Sequence, residues 1–307
     1  FNLQEAATDE VANTWLSGNN LSDLTYISWD AKDSWVSDSY YWLFFNIALC
    51  NEFLRHCSDE EIARFSEAEQ TEIRTFRSEA RFMRSFSYWM VLDLYRQGPK
   101  VDENTPVIGY IPEAYDGIGM FDFIESELKE LVAEGVSSAL PATNEYGRAS
   151  KPVAWALLAR LYLNSAIYRG NVDTKYYTEC ITACKQVISN PAFYLEPEYA
   201  KLFNADNHKR THEILFAMVC DATTSVTWGG GTYIICGSCG NSSTQDPAKY
   251  GLSNGWGMFR ARGEMTAKFG DIATTKDSRA MFYTDGQAQF FTGAIDNQAE
   301  GYFFEKF

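Results

Sequence analysis

Two stretches of this 307-residue sequence decide the fold: SEARFMRSFSYWMVLDLYRQGPK at residues 78–100 and GRASKPVAWALLARLYLNSAIY at residues 147–168. Each stretch places apolar residues at helical spacing, carries an aromatic residue near its end, and is joined to another helical stretch by a short polar segment. Paired helices of this kind bury their faces mainly against neighbouring pairs, as in tetratricopeptide-like scaffolds. The sequence therefore predicts a mainly α-helical frame, which favours a binding function over a catalytic one.

Helical periodicity recurs on both sides of these stretches. The further helices that it predicts cover residues 40–56, 121–138, 152–168 and 175–189. Ser58 and Glu61 have the spacing of a capping box, which opens a short helix. The long helix that includes residues 78–95 ends at Gly98-Pro99, which is a stop signal.

The character of the sequence changes after residue 190. Residues 213–219 (EILFAMV) alternate like a short strand, and residues 223–240 are too rich in glycine for a helix. The tail holds further aromatic and glycine-rich segments with weak strand signals. We therefore expect helices to supply the frame, and an irregular, loop-rich part with short strands to supply the surface.

Acidic residues outnumber basic residues in this chain. There are 41 Asp and Glu against 26 Lys and Arg, which gives a net charge of −15 at pH 7. Nucleic acid is a poor partner for such a chain because its phosphates must be neutralised by clustered Lys and Arg. The same charge disfavours docking on anionic lipid, and no apolar run is long enough to span a membrane. The composition is compatible with a neutral ligand such as a sugar.

The seven cysteines do not predict a metal or redox site. Cys236 and Cys239 form a lone CxxC, and Cys180 and Cys184 lie four residues apart on a predicted helix. Zinc requires a second such pair or well-placed histidines, and the chain has 3 His. Redox chemistry requires a strand-to-helix junction that is not evident here. The acidic loops show no EF-hand pattern. We expect buried or inactive thiols and no cofactor.

Two loop segments combine aromatic with polar residues. Residues 28–41 (SWDAKDSWVSDSYY) contain Trp29 and Trp35 among aspartates, and residues 223–233 contain Trp228, three glycines and Tyr233. Flat apolar rings suit the C–H faces of sugars, and neighbouring polar groups suit their hydroxyls. Trp29 and Trp35 have two interpretations, contact with a ligand or packing of their loop onto the helices.

An ordered series of motifs is similar to the SusD/RagB family, the surface glycan-binding lipoproteins of Gram-negative gut bacteria. The motifs are LQE at 3–5, TDE at 8–10, ALCN at 48–51, EARFMR at 79–84, Tyr95, GP at 98–99, GRASK at 147–151, ALLARLYL at 156–163, LF at 202–203, Asn207 and EILF at 213–216. The order and spacing of these motifs carry the resemblance, which spans most of the chain.

The resemblance implies a single SusD-like domain over residues 1–307, with tetratricopeptide-like helix pairs and a glycan site built by loops. It implies a non-catalytic protein on the surface of the outer membrane, which caps a TonB-dependent transporter of the SusC type. Against the family pattern, residues 1–307 lack the leader, the lipid-bearing cysteine and the final helices. We therefore expect membrane attachment through a lipid anchor that these residues do not include.

The resemblance also implies roles for individual residues. The candidate ligand-binding residues are Trp35 and Trp228 as stacking platforms, Tyr233 to complete the arc, Asp9 and Asp38 as hydrogen-bond acceptors for hydroxyls, and Trp29 as a further aromatic contact. The arginines of the long helix, Arg77, Arg81 and Arg84, are expected to be solvated or paired with neighbouring glutamates. Their alternative role is to order loops from below.

Two other classes of function share parts of this pattern. A helical-repeat adaptor that binds a partner protein has the same scaffold and differs in where its aromatic residues point. A glycoside hydrolase requires two carboxylates at a set separation, which 41 acidic residues neither support nor exclude. No HExxH motif is present. The three glycines at 229–231 lack the lysine of a phosphate loop, which disfavours a nucleotide site.

Overall fold

The computed structural model describes residues 1–17, 21–221, 223–224 and 230–306. Its α-helices, α1 to α11 in chain order, are Asn2–Glu5, Ser22–Thr25, Ser34–Arg55, Asp59–Ile62, Glu67–Tyr95, Gly117–Val132, Lys151–Leu163, Ser165–Arg169, Thr174–Ile188, Gly230–Ser238 and Gly263–Thr266. Its strands, β1 to β6, are Val11–Asn13, Gly98–Pro99, Ala114–Tyr115, Phe259–Ala261, Phe282–Tyr283 and Phe303–Phe304. Helices dominate, as the sequence predicts, and β1–β4, β2–β3 and β5–β6 form short antiparallel pairs.

The contacts within the chain divide it into two compact units. Unit 1 consists of Phe1–Asp38, Glu196–Arg210 and Val219–Phe307, and unit 2 consists of Ser39–Leu195 and Thr211–Met218. The single SusD-like domain over residues 1–307 stays a prediction. Among the described residues, we find no helix with the length and apolar character needed to cross a membrane.

Unit 2 is a stack of packed helices. Helix α5 packs on α6, α6 packs on α7, and α7 packs on α9. The α5 helix begins at a capping box, in which the Ser66 amide donates to Glu69 Oε2 at 2.9 Å. It ends at Arg96, whose φ of 69° lies in the left-handed region and turns the chain away from the helix. These ends fix the length of the longest helix in the described chain.

The core of unit 2 follows the helical repeat of its sequence. On α6, every three or four residues carry a fully buried apolar side chain: Phe121, Ile124, Leu128 and Leu131. Each such side chain stabilises the fold by about 1.5–3 kcal/mol relative to an exposed one. The same periodicity that predicts these helices from sequence therefore also builds their core.

A buried ion-pair network crosses this core. Arg84 on α5 is 2% exposed and donates from Nη1 to Asn51 Oδ1 at 2.8 Å, and also to Glu103. Its Nη2 donates to Glu127 Oε2 on α6 at 2.9 Å. Arg81 donates to the other oxygen of Glu127 at 2.8 Å. Burial alone would raise the pKa of the Glu127 carboxyl, but the two guanidinium groups lower it overall.

This network corrects part of the expectation for the arginines. Arg84 is not solvated, and the glutamates that pair with Arg81 and Arg84 lie on α6 and in the segment after β2 rather than on α5 itself. Glu103 belongs to that segment, and Arg55 Nε also donates to its carbonyl oxygen at 3.0 Å. Arg84 therefore has the alternative role of ordering a loop, because its ion pair with Glu103 holds the segment after β2 against the helical stack.

Unit 1 is built from short elements that are far apart in the sequence. Strand β1 pairs with β4 in the register Val11↔Ala261, Ala12↔Arg260 and Asn13↔Phe259. One cluster of buried apolar residues in this unit consists of Ala6, Val11, Leu21, Leu24, Met258 and Phe259. Aromatic residues at its edge pack on this core while remaining partly exposed.

Several predicted elements differ from the structure at their ends. Helix α3 begins at Ser34, six residues before the predicted start, because the Asp33 carboxylate accepts from the Trp35 amide at 2.8 Å and caps the helix. The helix predicted over 121–138 spans Gly117–Val132. The helix predicted over 152–168 is interrupted at Asn164, which separates α7 from α8.

Two predictions in the second half of the chain are wrong. Residues 213–219 form no strand in the described structure, because Leu215 and Phe216 pack instead on the helical core of unit 2. Residues 230–238 form helix α10 despite their glycines. A Cβ at Gly237 would lie 2.8 Å from the Phe259 ring, so close packing requires glycine there and outweighs its poor helix propensity.

Candidate functional site

Four partly exposed aromatic side chains of unit 1 form a continuous row. The ring centroids of Trp15 and Trp256 lie 6.1 Å apart with an interplanar angle of 27°. Tyr233 meets Trp256 edge to face at 6.4 Å, and Trp35 lies 6.2 Å from Tyr233. We call these four residues the aromatic row. The rings meet one another partly face to face and partly edge to face, and each keeps a partly exposed apolar surface.

Trp15 is positioned by the strand that precedes it. Its amide donates to Asn13 Oδ1 at 3.0 Å, which forms a tight turn at the end of β1. The neighbouring Thr14 is buried, and its amide donates to the Met258 carbonyl at 2.9 Å. The pairing of β1 with β4 thus brings Trp15 beside the segment that carries Trp256.

Trp256 is positioned by backbone contacts with α10. Its amide donates to the Cys236 carbonyl at 2.7 Å, and the Met258 amide donates to the Gly237 carbonyl at 2.8 Å. The adjacent Gly255 lies so close to the segment after this helix that a Cβ there would be 2.0 Å from the Gly240 carbonyl oxygen. Glycine at 255 is therefore required for the approach that places the Trp256 ring.

Tyr233 and Trp35 complete the row from two helices. Tyr233 lies on α10, and its ring centroid is 5.4 Å from that of Phe259. Its hydroxyl accepts a hydrogen bond from Asn2 Nδ2 at 2.9 Å. Burial raises the pKa of this hydroxyl, which stays protonated at neutral pH. Trp35 lies in the first turn of α3, which Asp33 caps. Both rings are partly buried and keep a solvent-accessible surface.

The structure brings two of the predicted ligand residues together, and it places them on helices rather than in loops. Trp35 and Tyr233 were expected in loops, and both lie on helices. Trp35 packs on the core of unit 1 and also belongs to the aromatic row. The role of either residue in ligand binding stays a prediction.

The other predicted residues lie outside the aromatic row or outside the described chain. Asp38 is exposed and follows Trp35 by three residues on α3, so both side chains lie on one face of the helix. Asp9 is exposed in the turn before β1. Trp29 is 43% exposed in the segment after α2, beside Tyr26 and Ile27. Trp228 lies outside the described residues.

Two members of the row, Trp15 and Trp256, were not among the predicted ligand residues. Trp256 follows Asn254 and Gly255 in a glycine-rich segment, which is the same signal that drew attention to Trp228. Trp15 lies among polar residues near the start of the chain. Their proximity depends on the pairing of β1 with β4 across about 250 residues, a contact that the sequence pattern does not reveal.

The chemistry of the row suits a neutral ligand. Its members are three indoles and a protonated phenol, which present apolar faces with N–H and O–H groups at their edges. Among the described residues, no group of three or more His, Cys, Asp or Glu side chains is arranged to hold a metal ion. A sugar, with apolar C–H faces and peripheral hydroxyls, matches this surface.

Comparison with known proteins identifies the fold. No protein-family model matches the sequence. The starch-binding protein SusD of Bacteroides thetaiotaomicron is 30% identical over 272 residues, which are 88% of this chain and 45% of SusD. The surface glycan-binding protein A of Bacteroides fluxus superposes with a TM-score of 0.74 at 18% identity, over 99% of this chain and 62% of that one. The surface glycan-binding protein A of Bacteroides thetaiotaomicron, in complex with laminarihexaose, superposes with a TM-score of 0.71 at 15% identity, over 99% of this chain and 64% of that one.

The helical stack of unit 2 and the short-stranded, aromatic-rich unit 1 together define a SusD-like fold, which confirms the predicted fold class. In sequence, the chain is similar to SusD. It spans about half of the length of the curated relative that it matches.

Proposed function

We propose that this protein binds an oligo- or polysaccharide on its aromatic row without chemical conversion. The observation that carries the proposal is the continuity of the row, in which neighbouring ring centroids lie 6.1–6.4 Å apart. Consecutive rings at this spacing offer stacking surfaces for successive sugar units. The related proteins described as starch-binding and as bound to laminarihexaose support the same class of ligand.

The proposal extends to uptake across the outer membrane. In this proposal the protein lies at the cell surface, where a lipid anchor holds it, and it delivers its glycan to a TonB-dependent transporter of the SusC type. The similarity of the chain to SusD supports this assignment. Unit 2 also has a surface suited to a protein partner: α3 exposes Tyr41, Phe45, Leu49 and Phe53 at four-residue spacing.

The glycan-binding proposal is tested by electrophoresis in gels that contain starch or laminarin, followed by titration calorimetry with the retarding glycan. Trp256→Ala is expected to raise the Kd at least tenfold because it removes the ring between Trp15 and Tyr233. Trp42→Ala is the matched control, since Trp42 is 65% exposed on α3 in unit 2. The Kd of the Trp42→Ala protein should equal that of the wild type.

The outcomes separate the alternatives. Equal retardation of the Trp256→Ala and wild-type proteins, with both folded by thermal melting, would refute the aromatic row as the site. If Trp42→Ala weakened capture of a partner protein while glycan binding was absent throughout, the helical-repeat adaptor would be the better account. Release of reducing sugar from a bound polysaccharide would establish a glycoside hydrolase and overturn the non-catalytic assignment.

A further inference from the structure

Unit 2 contains a cavity that is separate from the aromatic row. It has a volume of about 600 Å³ and is lined by residues from segments 142–150, 191–194 and 211–217. All of these segments belong to unit 2, whereas every member of the row belongs to unit 1. The volume lies within the range of about 300–1,000 Å³ that is typical of small-molecule sites.

One wall of the cavity is a stacked pair of rings. Tyr194 and His212 lie 4.3 Å apart between centroids with an interplanar angle of 11°. The Tyr194 amide donates to the His212 carbonyl at 2.9 Å, so the backbone also joins the two segments. Tyr194 remains 60% exposed although His212 packs on it. The result is a flat, supported ring that presents much of its surface to solvent.

Another part of the cavity lining is polar and is bound to Glu79 on α5. Arg148 donates from Nε and Nη2 to the Glu79 carboxylate, at 3.0 and 2.6 Å. Asn144 Nδ2 donates to the same carboxylate at 2.6 Å and to the Ala149 carbonyl at 2.8 Å. The bidentate ion pair does not use Arg148 Nη1, which is a donor for a hydroxyl group. Tyr146, 40% exposed, adds a second ring.

The charge of these groups selects the class of ligand. Glu79 neutralises Arg148, and the other charged residue of the lining is the carboxylate Glu145, so the cavity does not offer an uncompensated cation to an anionic ligand. A supported ring beside amide, hydroxyl and guanidinium groups matches a sugar, which stacks one face and hydrogen-bonds at its edge. We propose that this cavity is a second carbohydrate site, which holds a short neutral oligosaccharide on Tyr194. It adds to the glycan site proposed on the aromatic row.

The test uses titration calorimetry and saturation-transfer NMR with two probes, maltohexaose and laminarihexaose. The Trp256→Ala protein lacks a central ring of the row and is expected to retain one weak site for at least one probe. Adding Tyr194→Ala to it should raise the remaining Kd about tenfold. Adding Tyr110→Ala should leave that Kd unchanged, since Tyr110 is 48% exposed in unit 2 and does not line the cavity.

A second variant tests whether the loss of binding in Tyr194→Ala reflects the cavity itself rather than a local structural change at Tyr194. Thr211→Trp fills the cavity from its exposed rim and should cause the same loss of binding as Tyr194→Ala. The proposal is overturned if Tyr194→Ala and Thr211→Trp leave every binding constant unchanged, or if neither probe binds at millimolar concentration. Binding that responds to Tyr194→Ala and not to Trp256→Ala supports the cavity and refutes the row, and the opposite response supports the row and refutes the cavity.

Discussion

In unit 2 the buried apolar residues lie on long helices, whereas in unit 1 they come from short elements far apart in the sequence. The helices α5, α6, α7 and α9 each carry a buried stripe and pack on their neighbours in order. Unit 1 is held by the pairing of β1 with β4 and by the close approach of α10 to the segment before β4. Its aromatic residues are only partly buried as a result.

This difference separates a frame from a binding surface. The helical stack satisfies its backbone hydrogen bonds locally, so its side chains are free to fill a core. Unit 1 has fewer buried side chains, and its exposed rings lie where distant backbone segments meet. Surface rings held by backbone contacts are available to a ligand, whereas the rings within the helical stack are not.

The buried ion pair of unit 2 provides the largest expected effect. Arg84→Ala removes the guanidinium that pairs with both Glu103 and Glu127, and leaves partly buried carboxylates without it. We expect a loss of about 3–5 kcal/mol in the free energy of unfolding. Urea denaturation measures this loss. Arg64→Ala is the control: that side chain is 62% exposed and should change stability by less than about 0.5 kcal/mol. Equal effects of both changes would contradict a buried network.

Unit 1 should instead be sensitive at its backbone contacts. Gly255→Ala places a Cβ 2.0 Å from the Gly240 carbonyl oxygen and 2.7 Å from that of Cys239. The segment must move, so we expect a loss of about 1–3 kcal/mol together with weaker glycan binding, because Trp256 moves with it.

Gly231→Ala is the matched control for this change. The position lies in α10, and a Cβ there meets no atom within 4 Å. Alanine is the better helix former, so stability should stay equal or rise by up to about 1 kcal/mol. Thermal melting of both variants measures their stability, and the gel assay measures their glycan binding. Unchanged glycan affinity in Gly255→Ala would show that the Trp256 ring does not depend on this approach.

Acid titration provides the smallest and most gradual effect. Because the folded-state pKa of Glu127 lies below its usual 4.5, its ion pairs stabilise unit 2 fully above that pH and weaken as the pH falls below it. Glu127→Gln cannot titrate. The stability difference between the wild type and this variant should therefore narrow below about pH 4.5, by at most about 1.4 kcal/mol per pH unit. Denaturant titrations from pH 7 to acid measure it, and a constant difference would contradict the ion-pair assignment.

The helices of unit 2 could be predicted because their signals are local. The stripe of Phe121, Ile124, Leu128 and Leu131 is visible in the sequence and is buried in the structure. The predicted ends were less accurate, because caps such as Asp33 extend a helix beyond its apolar repeat. The burial of Arg84 was missed because its main partners lie 19 and 43 residues away.

The candidate site could be predicted only in part. Loop composition pointed to Trp35 and Tyr233, which lie in the row, but not to Trp15 or Trp256. The glycine-rich stretch around α10 was expected to be irregular because glycine is a poor helix former. Packing of Gly237 against Phe259 reverses that preference, and only the fold brings the two residues together.

By itself, the sequence determined the helical class, the stacked pairs of unit 2 and the acidic character that disfavours nucleic acid, because periodicity and charge are carried by neighbouring residues. The tertiary structure alone decided which rings form a surface and which segments enclose the cavity beside Tyr194. Those arrangements depend on contacts between residues far apart in the chain, whose proximity follows from strand pairing and close backbone approach rather than from any local preference.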